Sequence, residues 1–83
     1  MVTNESIEKS IAGGIACERI AVTGDGAHFE AVVVAAAFAG LTRVRRHQLV
    51  YAALGDRMRE EIHALSMTTL TPEEWAEGRS ARG

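Results

Sequence analysis

Apolar and polar positions follow two rhythms along this chain. From Asn4 to about Gly13, Ile7 and Ile11 share one face at i,i+4, which predicts a helix. Asn4 is expected to cap it, Glu5 and Glu8 suit the positive end of its dipole, and Gly13-Gly14 supplies a stop. Arg19 to Thr23 puts Ile20 and Val22 on one side, a short strand pattern. Gly24-Asp25-Gly26 then offers the positive-φ chemistry of a hairpin turn, and its glycines are expected to leave the loop mobile. The run Phe29 to Ala37 is almost all Val and Ala, so periodicity alone does not separate helix from strand. The turn before it and the block Val32-Val33-Val34 favour a central strand.

Gly40 ends that strand, and Leu41 to Leu54 reads as a helix with Thr42 at its cap. Leu41, Val44, Tyr51 and Ala52 are expected to turn inward, with Arg43, Arg46 and His47 together on another face. Gly55 breaks the helix, and Asp56 is expected to cap a short one running through Glu61. Ile62 to Thr69 alternates, with His63, Leu65 and Met67 one way and Ala64, Ser66 and Thr68 the other, which predicts a third strand. Thr71-Pro72-Glu73-Glu74 joins an N-cap threonine, a proline at N1 and a glutamate at N3. That capping box starts a last short helix, which Trp75 is expected to pack down. The order predicts an α+β sandwich: a three-stranded sheet with helices against one face and a short C-terminal helix.

Composition narrows the function classes. A chain of 83 residues holds a single domain (1–83), with about 79–83 expected to be a mobile basic tail. Hydrophobic residues at 47% and charged residues at 24% are globular values and exclude a disordered chain. A net charge of −2 gives no global basic field for nucleic acid or membrane. One cysteine excludes a disulfide framework and a multi-cysteine zinc site. With no secretory pattern at the start, the expected location is cytoplasmic. The longest apolar run, Ala31 to Leu41, is too short for a membrane span. No nucleophile–base–orienter set or phosphate-cradling loop is visible, and Glu60-Glu61 and Glu73-Glu74 are adjacent pairs that splay apart on helices. The chain reads as a non-enzyme.

Four blocks together carry a family resemblance: Phe38-x-Gly40, Val44-x-Arg46-His47, Ile62-His63-Ala64-Leu65 and Thr71-Pro72-x-Glu74-Trp75. In this order and spacing they resemble the BolA family, from Ile7 to about Arg79. The hairpin Gly24 to Phe29 looks most like the family's bacterial IbaG branch. The resemblance implies a type II KH-like α-β-β-α-α-β topology. It implies an adaptor that pairs with a monothiol glutaredoxin to hold a bridging [2Fe-2S] cluster, shared with glutathione, in cluster trafficking or iron and stress signalling. No cofactor is required for folding, and the free protein is expected to be a monomer or weak dimer.

The resemblance implies that His63, by position, is the shared C-terminal ligand. The resemblance also implies a second ligand from the loop after the first strand, a cysteine in some branches and a histidine in others; here Ala27 stands about where the cysteine would be and His28 beside it is the candidate. A histidine ligand raises the potential of an iron–sulfur cluster and can be lost by protonation. Cys17, with no histidine or CxxC partner, reads as a small buried hydrophobe, and His47 as a packing residue. Arg43, Arg45 and Arg46 are the one dense basic patch. The alternative function is a nucleic-acid-binding transcriptional regulator using them, with DNA as partner. Against it, the linker holds only Gly55 where a KH domain has a Gly-x-x-Gly clamp, and no aromatics interleave with the arginines.

Overall fold

Three threonines set where three helices begin. Thr3, Thr42 and Thr71 are each extended, and each side-chain oxygen accepts from the backbone N–H three residues on, at Ser6, Arg45 and Glu74. The computed structural model describes residues 2–62 and 64–78. Helix α1 spans Asn4–Gly14, strand β1 Arg19–Gly24 and strand β2 His28–Val34. A 3-10 turn at Ala36–Phe38 leads to α2 (Arg43–Leu54), the single turn α3 (Arg57–Glu60), β3 (Ala64–Leu70) and α4 (Pro72–Ala76).

The sheet has the order β1-β2-β3 and is mixed. β1 runs antiparallel to β2 with Arg19 opposite Val34, and β2 runs parallel to β3 with His28 opposite Ala64. The central place of β2 fits its Val-rich run, which buries Phe29, Ala31, Val33 and Val34. Ile7 and Ile11 of α1 and Val50 and Leu54 of α2 close over one face of the sheet, with Phe38 fully buried between them and the strands. This is the expected α+β architecture.

Several local expectations are corrected. Thr3, not Asn4, caps α1, because Thr3 and Ser6 exchange side-chain to backbone hydrogen bonds at 2.9 and 3.0 Å. The helix runs through Gly14, where a Cβ would stand 2.7 Å from that of Ala53, so a glycine there lets α1 and α2 approach. β2 stops at Val34, three residues early: the Ala35 N–H still donates to Leu70, but the chain then tightens into the 3-10 turn that drives Phe38 into the core. Asp56 is helical (φ −67°, ψ −17°) and caps nothing; its carboxylate instead lies 3.6 Å from Arg59.

The stripe on α2 is also rotated from its expected place. Val50 and Leu54 face inward, whereas Val44 and Tyr51 are 66% and 42% exposed. The far face of the sheet is not wholly open. Arg19 has the strand parity opposite to Ile20 and Val22, and its guanidinium sits 4.9 Å over the Trp75 ring. Val34 and Leu70, in register with Arg19, are buried at this end. Trp75 thus anchors α4 while staying 43% exposed.

Candidate functional site

The hairpin end is built by one carboxylate. Asp25 Oδ1 accepts from the N–H groups of Ala27 and His28, each at 3.0 Å, and the Asp25 N–H donates to the His28 carbonyl at 3.2 Å. These backbone hydrogen bonds, His28's first, hold the Asp25 carboxyl below its ordinary range. Gly26 takes φ +100°, which favours glycine, whereas Gly24 is needed for space: a Cβ there would collide with the His28 carbonyl oxygen and with Phe29. Asp25 ties the turn to the first residue of β2.

His28 opens β2 with its side chain exposed, and its ring makes no hydrogen bond among the described residues. Its partner across the parallel ladder is Ala64, the first residue of β3. His63 lies outside the described residues. Among the described residues, His28 therefore presents an imidazole with no hydrogen-bond partner at the start of β2, opposite Ala64. Among the described residues, no three His, Cys, Asp or Glu side chains come together as a metal-holding group.

The other candidates separate. Cys17 is half-buried, its thiol donates to the Ile15 carbonyl at 3.2 Å, and burial pushes its pKa up, away from thiolate chemistry. His47 is half-buried on α2, where desolvation and then the Arg43 charge lower its pKa. The three arginines do not form one surface patch. Arg46 turns inward and donates to the Leu41 and Thr69 carbonyls at 3.0 Å and to Glu74 Oε1 at 2.8 Å, with Phe38 under its guanidinium. Arg43 and Arg45 stay exposed and form no salt bridge among the described residues.

The Arg46–Glu74 pair was not foreseen from the sequence, where 28 positions separate the two residues. Its signal was the presence of one residue in each of two family blocks. Glu74 serves twice, since Oε1 also accepts from the Thr71 N–H at 2.9 Å. Beside this pair an open recess of about 370 Å³ is lined by Ala39, Gly40, Thr71, Glu73 and Glu77, away from His28.

A family model described as BolA-like protein matches residues 1–74. The chain belongs to the BolA family. It is 35% identical over 81 residues to the acid stress protein IbaG of Escherichia coli K12, covering 96% of each chain. A solved BolA homologue from Coxiella burnetii superposes with a TM-score of 0.83 at 48% identity, covering 92% of this chain and 99% of that one. The DNA-binding transcriptional regulator BolA of Vibrio cholerae is 46% identical over 52 residues, 63% of this chain and 49% of that protein. BolA relatives thus carry names of stress proteins and of regulators. Among the described residues, no helix of this BolA-family chain is long and apolar enough to cross a membrane.

Proposed function

We propose that this BolA-family protein is an adaptor that pairs with a monothiol glutaredoxin and contributes His63 and His28 to a bridging [2Fe-2S] cluster, carried as cargo. The observation that supports the reading is the strand register. His28 begins β2 opposite Ala64, the residue that follows His63 in sequence. The donor chemistry fits, since the His28 ring is exposed and engaged by no hydrogen bond among the described residues. A bridging cluster draws its remaining ligands from the partner's thiolate and glutathione, so this chain needs no three-residue metal group of its own.

The adaptor acts by holding a ligand on an ordered frame. The Asp25 carboxylate fixes the backbone of His28, so little ordering cost is left for ligation beyond the ring itself. A neutral imidazole is a weaker, protonatable ligand than a thiolate, which suits handing the cluster on. The test is reconstitution with a monothiol glutaredoxin, iron, sulfide and glutathione, followed by absorbance and circular dichroism. The expected result is a cluster spectrum specific to the mixed complex that His63→Ala abolishes or greatly weakens; no such spectrum, or one unchanged in His63→Ala, overturns the reading.

A second reading, DNA binding, draws on relatives named as DNA-binding regulators and on the exposed Arg43 and Arg45. With Arg46 engaged internally, two arginines remain for phosphate contact. Their combined replacement by glutamine should then lower the salt slope of duplex binding by about 2.

A further inference from the structure

The outer side of α2 departs from what folding alone requires. Val50 and Leu54 are buried and fix the helix's inner face. Val44 and Tyr51, seven residues apart, lie on one strip of its surface and are 66% and 42% exposed. At about 100° per residue that strip stands roughly 170° from Ala53, the residue that meets Gly14 of α1. Neither α1 nor the sheet buries these two side chains.

Charge gathers beside them. Arg43 and Arg45 flank Val44 and are exposed, with no salt bridge among the described residues. The sequence has no Asp or Glu between Glu30 and Asp56. Both arginines sit in the first turn of α2, where the helix dipole disfavours cations, and that turn holds no acidic residue. At about 100° per residue Arg43 and Arg45 stand to either side of Val44, so two arginines set against the dipole flank the strip that carries the exposed valine and tyrosine.

We propose that this strip of α2 is a docking surface for an acidic amphipathic helix of a protein partner. Val44 and Tyr51 would pack under its apolar side, and Arg43 and Arg45 would pair with its carboxylates. Duplex DNA would answer the arginines but not the two apolar side chains. A lipid surface needs a larger basic and apolar face than two residues of each kind on a chain of net charge −2. The Arg43–Arg45 end of the strip is remote from His28: neighbouring Arg46 reaches Thr69 near the end of β3, whereas His28 pairs with Ala64 at its start. Five residues of strand separate Ala64 from Thr69, about 17 Å. The arginine end of the strip therefore stands apart from the residues of the cluster reading.

The test uses the full chain and a labelled helical peptide of about 16 residues, with leucines at i,i+3,i+4,i+7 and glutamates on the flanks. Fluorescence anisotropy at low and physiological salt should give saturable binding. Arg43→Gln with Arg45→Gln should weaken it about tenfold at low salt, and Val44→Ser with Tyr51→Ser should weaken it about fivefold at either salt. Charge reversal, Arg43→Glu with Arg45→Glu, should transfer the preference to the same peptide carrying lysines. All these positions are exposed, and thermal melts check that each variant is folded. Failure of the acidic peptide to bind, equal binding of the lysine peptide to the wild type, or variants that bind like the wild type would overturn the proposal. Binding of duplex DNA or phosphatidylserine vesicles without the peptide would overturn it too, in favour of those partners.

Discussion

Arg46 Nη1 lies 2.8 Å from Glu74 Oε1, and this contact joins the first turn of α2 to the capping box of α4. The same guanidinium donates to the Leu41 and Thr69 carbonyls, so one side chain ties together a helix start, a strand end and the helix that follows it. Their side chains are 13% and 26% exposed, which places the pair between a surface ion pair and a buried one. Arg46→Ala removes the side-chain donor to the Leu41 and Thr69 carbonyls and the charge partner of Glu74, whose Oε1 still accepts from Thr71, and should destabilise the protein by about 2–3 kcal/mol. Glu74→Gln, which keeps an acceptor for Thr71, should cost about half as much. Urea unfolding checks both, and equal stability of Arg46→Ala and the wild type would mean the pair holds nothing in place.

Gly24 gives a sharper test of the hairpin. Gly24→Ala places a Cβ against the His28 carbonyl oxygen and Phe29, and the strands must shift to admit it. The expected loss is about 1–3 kcal/mol, as for overpacking elsewhere. Gly26→Ala meets no atom but forces alanine to φ +100°, so it should also destabilise, by backbone strain. Thermal unfolding of the two variants measures each cost.

His28 should behave as the exchangeable ligand of the proposed cluster. His28→Ala is expected to leave the glutaredoxin complex intact while altering the cluster spectrum and speeding its loss to an acceptor. His28→Cys should stabilise the cluster, because thiolate is the stronger ligand. Identical spectra and transfer rates for His28→Ala and wild type would remove His28 from the site.

His47 should make folding stability depend on pH. Burial, and then the Arg43 charge, depress its pKa in the folded state, so the unfolded chain binds the proton more readily. This group's contribution is complete above the unfolded value of about 6.5 and falls as the pH drops toward the lower folded value. His47→Gln should flatten that segment of the stability profile, read by urea unfolding at a series of pH values between about 4 and 8. A slope unchanged in His47→Gln would assign it to another group.

The sequence by itself determined the element order, the central place of β2 and the start of α4. Each of these rests on local chemistry that acts within a few residues: the valine block, the turn before it, and the threonine, proline and glutamate of the capping box. His28 became a candidate ligand only through the family resemblance, as the histidine beside Ala27 in the loop after the first strand. Tertiary structure decided the rest. Which face of α2 turns inward depends on where α1 and the sheet lie, so Val44 and Tyr51, apolar in the pattern, ended outside. Arg46 left the basic patch because Glu74 and the Thr69 carbonyl, 28 and 23 positions away, are brought to it only when β3 and α4 are in place. The pairing of His28 with Ala64 is likewise a matter of register, which two strands 36 positions apart acquire only by packing against a common core.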